Sequence, residues 1–318
     1  MVKVSLIILN WNARVMAQEQ LENVSELDIK GLKVECVVVD NGSTDDSKDM
    51  LSDYKLPNMN YKFIETGKNL GYAGGNNFGL KYSFKEGFDY TILLNNDVIL
   101  PKDILIKLIG VAERDQKIGV LAPKMYFAKG YEFHKERYKK EDLGKVIWYA
   151  GGFIDWDNVY SIHRGVDEVD KGRYDQEIEV DAANGACLLI RNKVMADIGF
   201  LRDKYFMYWE DADYCIRAKK AGWKVIYTPE TRLWHKVSSS SAIGSNLNDY
   251  FLTRNRLDFG LRYAPIRTKI ALIKESLGFI IRGRHWQKMG VRDYYLGKWG
   301  KGSWPPAHRA SGPEGNKK

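Results

Sequence analysis

The sequence predicts an α/β fold: a Rossmann-like, mostly parallel sheet flanked by helices, followed by a basic helical extension. Three observations predict it. Short apolar, β-branched runs alternate with amphipathic stretches through the first third of the chain, which is the pattern of a parallel sheet covered on both faces. Three of these runs (residues 2–9, 34–39 and 90–94) lead directly into Asn10-Trp11-Asn12, Asp40-Asn41-Gly42-Ser43-Thr44-Asp45 and Asn95-Asn96-Asp97. In an open α/β sheet ligands bind outside the carboxyl ends of the strands, so three polar strand ends describe one polar pocket. Finally, residues 251–318 hold 15 Lys/Arg against 4 Asp/Glu, a net +11, which leaves −3 on the rest of a chain whose total is +8.

Residues 2–9 read as a buried strand because they are continuously apolar. A helix is expected over 13–27, with Val15, Leu21, Val24 and Leu27 on roughly one face. The second strand is 34–39, and Ser43 or Thr44 is placed to cap a helix whose first turn holds Asp45 and Asp46. Strands at 61–64 and 90–94 bracket a helix opened by the glycine-rich segment 69–77. Pro101 suits the first turn of a helix reaching Arg114. A strand at 118–121 completes the repeat. Segment 126–180 mixes charge, glycine and aromatics, and a hairpin of 148–153 with 159–163 is the reading it supports. Apolar residues 186–190 form a strand, 210–221 a helix stopped by Gly222, and 223–227 and 232–235 two short strands. Beyond 245 the pattern is helical and basic. Ile270, Ile273, Leu277 and Ile280/Ile281 recur at helical spacing among Lys269, Lys274, Arg282 and Arg284, which suits a membrane interface or packing on the main domain, with packing the expected outcome. Residues from 303 on read as disordered.

A hydrophobic content of 44% and a charged content of 28% fit a globular protein and exclude collagen-like or generally disordered chains. Cys36, Cys187 and Cys215 are odd in number and widely spaced, so neither a disulfide framework nor a zinc site is indicated. Residues 2–9 are too short for a signal-peptide core, and no stretch reaches the ~18 apolar residues that span a bilayer. A cytoplasmic protein, soluble or peripheral on a membrane, is expected. The basic C-terminal part points to an anionic partner such as a membrane surface, a phosphorylated lipid or nucleic acid, or is simply a solvated basic tail.

Asp40 can accept hydrogen bonds from a base or ribose edge, and Asp-Asn-Gly-Ser is equally an ordinary turn. Asp97 can bind Mg²⁺ or Mn²⁺ bridging to a diphosphate, a task for which a single carboxylate suffices. Asp211, in Trp209-Glu210-Asp211-Ala212-Asp213, can act as general base, whereas three acids at a helix start also simply complement the dipole. The aromatic run 205–209 before it argues for a lined cleft. His235 is a candidate metal ligand. The glycines at 71, 74 and 75 can bring backbone near phosphate, but they fit neither the P-loop nor the dinucleotide-binding pattern.

Taken in order, these pieces resemble the inverting glycosyltransferases of family 2, which have a GT-A fold, over roughly residues 1–260. The series is Leu9-Asn10-Trp11-Asn12, Val39-Asp40-Asn41-Gly42-Ser43, Asn69-Leu70-Gly71-Tyr72-Ala73-Gly74-Gly75-Asn76, Leu93-Leu94-Asn95-Asn96-Asp97, Asn184-Gly185-Ala186, Glu210-Asp211 with Asp213, and Trp234-His235-Lys236. The resemblance implies that Asn10, Asn12, Asp40, Asn69, Gly71, Asn95, Asn96 and Asp97 form the nucleotide-sugar site. It implies Mg²⁺ or Mn²⁺ at Asp97 and His235, Asp211 as base, and Trp209 and Glu210 on the acceptor side. Asn95 stands where the family carries the first acid of its Asp-x-Asp motif. Tyr250, Arg254 and Asn255 match a segment that approaches the diphosphate. The sequence looks closest to rhamnosyltransferase-like members acting on cell-surface polysaccharide or lipid-linked saccharide. The implied organisation is a catalytic domain over 1–245, a basic helical region over 246–302 and a disordered tail over 303–318. The implied partners are a nucleotide-sugar donor, a saccharide or lipid-linked acceptor and an anionic membrane surface, with no nucleic acid. Two other readings stand beside this one: a sugar-nucleotide nucleotidyltransferase, and a non-catalytic membrane- or polyanion-binding protein.

Overall fold

The computed structural model describes residues 1–237 and 245–305. Its strands are β1 (Val2–Asn10), β2 (Leu32–Asp40), β3 (Asn60–Glu65), β4 (Tyr90–Leu94), β5 (Val98–Ile99), β6 (Ile118–Phe127), β7 (Ile147–Tyr149), β8 (Gly152–Asp155), β9 (Tyr160–His163), β10 (Ile178–Glu179), β11 (Cys187–Arg191) and β12 (Lys224–His235). Its helices are α1 (Arg14–Ser25), α2 (Ser47–Ser52), α3 (Gly71–Lys85), α4 (Ile104–Arg114), α5 (Asn192–Ile198), α6 (Glu210–Lys220), α7 (Asn246–Tyr263), α8 (Ile266–Arg282) and α9 (His285–Tyr295).

The main sheet runs β10-β12-β6-β11-β4-β1-β2-β3. Pairs β1/β2, β1/β4, β2/β3 and β6/β12 are parallel, while β11 lies antiparallel between β4 and β6. The near-continuous apolar runs of β1, β2 and β4 are buried, as expected of strands covered on both faces. Parallel register aligns Asn10 with Asp40. The reversed β11 begins where β4 ends, so the Asn95 N–H donates to the Ala186 carbonyl at 3.0 Å. The loop 184–186 therefore meets the Asn-Asn-Asp cluster at the same sheet edge.

Several local expectations are corrected. The strands expected at 223–227 and 232–235 are one strand, β12, which starts at Lys224 and has a register shift between Thr228 and Arg232. The hairpin is β8 with β9, while β7 joins the main sheet beside β6. Pro101 lies outside α4, whose N-terminal residue is preceded by Asp103. Ser43 does not cap α2, which starts after Asp46. Its hydroxyl instead accepts from the Asn12 N–H (3.0 Å) and the Asn10 amide (3.3 Å), tying the ends of β1 and β2 together. All three cysteines are buried and free.

Packing was the expected outcome for α8, and the helix does pack on α7 and α9, though not through its apolar repeat. The helix seats itself through Thr268, Leu272 and Ser276, and Ile266, Ile270, Ile273, Leu277, Ile280 and Ile281 face outward. Arg254 and Asn255 on α7, expected near the diphosphate, are fully buried. The Asn255 amide donates to the carbonyls of Tyr205 (2.9 Å), Met207 (2.7 Å) and Tyr208 (3.0 Å), and Arg254 Nη2 donates to that of Tyr205 at 3.0 Å. This clamp grips a turn in which Phe206, Tyr208 and Trp209 hold positive φ of 66°, 65° and 74°, a conformation side chains rarely adopt without surrounding support. Of the segment beyond 302, Ser303 and Trp304 pack against α7 and α9, and residues 306–318 lie outside the described residues.

Asn255→Ala leaves those carbonyls without their buried donor and is expected to cost about 3 kcal/mol, the scale of several lost hydrogen bonds with unsatisfied acceptors. Urea denaturation checks it, and a loss below about 1 kcal/mol would contradict the role assigned to the clamp.

Candidate active site

Two cavities flank the clamped turn. The first, about 600 Å³, is walled by Leu9, Trp11, Ala13, Asn41, Asn69, Gly71, Tyr72, Asn95, Asn96, Phe206, Met207, Leu247, Lys301, Trp304 and Pro305. It opens at the carboxyl ends of β1, β2 and β4. The second, about 590 Å³, holds Asp211 and Glu210 beneath an aromatic wall of Trp148, Tyr160, His163, Tyr208 and Trp209, with Asn184 beside them and α7, α8 and α9 forming its far rim.

The strand-end residues divide between walls and braces. Asn69, Gly71, Asn95 and Asn96 line the first cavity, whereas Asn10, Asn12 and Asp40 do not. Asp40 is 1% exposed. Its carboxylate accepts from Asn10 Nδ2 (3.3 Å) and the Ser43 N–H (3.0 Å). Asn12 Oδ1 accepts from the Thr44 N–H at 2.7 Å. Asn41, next to Asp40, is the residue that reaches the cavity wall. Its side chain donates to the Gly71 carbonyl (3.1 Å) and accepts from the Leu70 N–H (3.0 Å), fixing the start of α3. Gly71 has φ of +74°, and a Cβ there would collide with the Phe206 carbonyl.

Antiparallel pairing of β5 with β12 sets His235 opposite Val98. The neighbouring Asp97 therefore meets the imidazole, with His235 Nε2 3.1 Å from Asp97 Oδ1. The Nδ1 of His235 is buried without a partner. One carboxylate and one imidazole, both mostly buried but not sealed, fit a divalent cation that completes its shell with phosphate oxygens and water. No group of three or more acidic, His or Cys residues forms a metal cage among the described residues.

Asp211 sits at the start of α6, where the helix dipole favours a negative charge. Its Oδ1 accepts from the Ala212 N–H (2.7 Å) and its Oδ2 from the Gly185 N–H (3.1 Å). Burial raises its pKa, and those two hydrogen bonds oppose the rise. Glu210 is buried with Oε2 unpartnered. Burial and then the Asp211 charge push its pKa well above the ordinary value, so of the two Glu210 is the carboxyl that burial disposes to stay neutral. Asp213, the third acid, is fully buried and bound to Arg217, Arg202 and Tyr263, which makes it a structural residue.

Residues that the sequence reading did not single out complete the picture. Tyr72 lines the first cavity, and its hydroxyl donates to the Gly185 carbonyl at 2.6 Å. Burial, followed by the charges of Glu210 and Asp211 in the second cavity and, more weakly, of Asp97, raises its pKa far above the usual phenol range. Burial also pushes the His163 pKa down to about 4. A neutral ring there donates from Nδ1 to the Trp148 carbonyl (3.3 Å) and accepts from the Asn184 amide (3.4 Å). Both Trp148 and His163 come from the segment whose composition is least informative.

Known structures identify the class that this arrangement defines. A mannosyltransferase from Pyrobaculum calidifontis, solved with GDP-Man and Mn²⁺, superposes with a TM-score of 0.55 over 96% of this chain and 77% of its own, at 15% identity. TarS of S. aureus, in complex with UDP-GlcNAc, gives 0.57 over 92% and 79%, at 16% identity. The fold is thus that of GT-A glycosyltransferases. The family model for glycosyl transferase family 2 matches residues 5–169, and the chain belongs to that family. Similar sequences include a low-salt glycan biosynthesis hexosyltransferase of Haloferax volcanii, 26% identical over 68% of this chain. An N-acetylglucosaminyl-diphospho-decaprenol L-rhamnosyltransferase of Mycobacterium tuberculosis is 27% identical over 65% of this chain and 68% of its own length. The match spans 61% of the haloarchaeal protein. Membership of this family of enzymes replaces the nucleotidyltransferase and non-catalytic readings.

Because its native pKa is raised, Glu210 stabilises the fold fully only below about pH 4.3, its unfolded value, and that contribution is lost as pH rises toward the native pKa. Glu210→Gln is therefore expected to melt above wild type at pH 8, by about 2–4 °C for each kcal/mol relieved, with the two curves converging near pH 4. Coincident melting at pH 8 would contradict the buried, proton-holding assignment.

Proposed function

We infer that this protein transfers a hexosyl unit from a nucleoside-diphosphate sugar to a hydroxyl of a saccharide or lipid-linked acceptor, inverting the anomeric carbon. The observation that carries the reading is the position of Tyr72, between a cavity lined by strand-end amides and one that holds Asp211. The first cavity suits the donor: amides of Asn41, Asn69, Asn95 and Asn96 offer donors and acceptors to nucleoside and phosphate, and Trp11 offers an apolar face. The second suits the acceptor, with aromatic faces for sugar rings and Asp211 at its floor.

The reaction breaks the bond between the anomeric carbon and the diphosphate oxygen through an oxocarbenium-like transition state. Asp211 accepts the proton of the incoming hydroxyl as it attacks the face opposite the leaving group. The N–H groups of Gly185 and Ala212 hold the carboxylate in one orientation, and burial makes it a stronger base than an ordinary aspartate. Asp97 and His235 would hold Mg²⁺ or Mn²⁺, which when bound offsets charge on the diphosphate. The mannosyltransferase and other GT-A neighbours solved with Mn²⁺ support the choice of a divalent ion.

The acceptor side supports a membrane-borne substrate. Phe279 of α8 and Arg284 line the second cavity. The opposite face of α8 presents six exposed apolar residues, with Ile281 73% exposed, flanked by Arg267, Lys269, Lys274 and Arg282. Apolar side chains rimmed by cations complement an anionic bilayer surface. The named acceptor of the mycobacterial relative is itself a diphospho-decaprenol. The helix would hold the enzyme peripherally on the cytoplasmic leaflet. No helix among the described residues is long and apolar enough to cross a membrane.

Asp211→Asn is expected to bind donor with unchanged affinity and lose at least about 10³-fold in turnover, the scale of a general-base contribution. Transfer at near wild-type rate would remove Asp211 from the mechanism. In vesicle sedimentation, wild-type protein should pellet with vesicles of phosphatidylcholine containing phosphatidylglycerol and much less with phosphatidylcholine alone. The Ile273→Glu/Ile280→Glu variant should stay in the supernatant, and equal pelleting of the two proteins would discard the α8 surface.

A further inference from the structure

We propose that the C-terminal strap, residues 299–305, is part of the donor site and that the ammonium group of Lys301 neutralises the donor's diphosphate. The proposal deepens the reading of the first cavity as the nucleotide-sugar site and rests on it.

The cavity's other walls supply amides, apolar side chains and aromatics. Lys301 is the one charged side chain among the described residues that line it. A diphosphate carries more negative charge than a single divalent ion on Asp97 and His235 offsets, and the departing group gains charge as the glycosidic bond breaks. A cation is required there. Arg254, the residue the sequence offers for the task, is sealed in the interior and bonded to backbone carbonyls. Of the other basic groups near this edge, Arg14 pairs with Asp46, Lys236 with Glu19 and Lys48 with Glu65, while Lys68 is exposed and does not line the cavity. Residues 238–244 contain neither Lys nor Arg. Lys301 is half-buried and makes no ion pair among the described residues. A lone ammonium group beside a polar cavity is poised for an anion.

The strap is anchored firmly enough to aim that group. The Ser303 N–H donates to Asp293 Oδ2 at 2.7 Å and its hydroxyl to Oδ1 at 2.9 Å. Asp293 is itself fully buried and bonded to the Tyr250 hydroxyl. The Gly300 N–H donates to the Lys204 carbonyl at 2.8 Å. Trp304 packs on Trp286 with ring centroids 4.6 Å apart. Gly302, at φ +56°, leaves no room for a Cβ against Tyr250 and Arg254. The buried network under α7 thus fixes both the turn 205–209 on one side of the cavity and the strap on the other. In the transfer step the electron pair of the broken C–O bond passes to the diphosphate oxygen and the acceptor proton passes to Asp211. Lys301 stays protonated throughout and acts by its charge.

Isothermal titration of the full chain with ADP, GDP, UDP and dTDP in the presence of Mn²⁺, and with the parent nucleosides, tests this. Wild type is expected to bind at least one diphosphate. Lys301→Ala should weaken that diphosphate by about 10- to 100-fold, the range of a lost charge-assisted contact, and leave the nucleoside unchanged, while Lys301→Arg should stay within about threefold of wild type. Diphosphate binding by Lys301→Ala within twofold of wild type, or an equal loss for nucleoside and diphosphate, would overturn the assignment of Lys301 alone. Failure of wild type to bind any of the four would overturn the donor-site reading beneath it.

Discussion

The hydrogen bonds from Asn255 and Arg254 to the carbonyls of Tyr205, Met207 and Tyr208 are the constraint on which the site depends. They hold three non-glycine residues in the left-handed region, a conformation that costs on the order of 1 kcal/mol or more for each residue. The resulting turn faces two ways. Phe206 and Met207 complete the wall of one cavity, and Tyr208 and Trp209 that of the other. It then delivers the chain into α6 with Glu210 and Asp211 in the first turn. Gly71 allows the turn to approach α3, because its missing Cβ leaves space for the Phe206 carbonyl.

Around that turn the electrostatics follow from burial. Asp97 comes from the sheet edge, Asp211 from a helix start and Glu210 from the residue before it, and all three act on the Tyr72 hydroxyl. Concentrated negative charge of this kind is costly in a bare interior. Part of the cost is offset by the N–H groups of Gly185 and Ala212 on Asp211 and by the raised pKa of Glu210. A cation held at Asp97 and His235, as proposed, would relieve more of it.

Much of this was legible in the sequence because the sheet is parallel. Buried parallel strands are continuously apolar, so the runs at β1, β2 and β4 and the polar residues that end them stand out. Asn10 and Asp40 were placed at the right edge, although both turned out to brace it and Asn41 to face the cavity. Trp148 and His163 were not legible, since β7, β8 and β9 are three or four residues long and owe their position to tertiary pairing. Tyr72 carries no local signal, as its role comes from meeting Gly185 across the sheet. Arg254 was expected near the diphosphate from the resemblance alone, and its burial against the carbonyls of Lys204 and Tyr205 had no signal in the sequence. The outward stripe on α8 has the same periodicity as an inward one, so helical spacing alone did not reveal which side of the helix faces the core. Ser303 and Trp304 fall in a stretch whose composition suggests a tail, yet the buried carboxylate of Asp293 fixes the first and the aromatic cluster of Trp286 and Tyr250 the second.

A crystal structure of the complex with Mn²⁺ and the tightest-binding nucleoside diphosphate tests the central claim most directly, through the anomalous signal of the metal. The account predicts a manganese peak within bonding distance of Asp97 and His235, with the nucleotide running from Trp11 past Asn95 toward the strap and Asp211 facing the vacant sugar position. A manganese peak away from Asp97, or a nucleotide bound outside the cavity between Trp11 and Phe206, would contradict it.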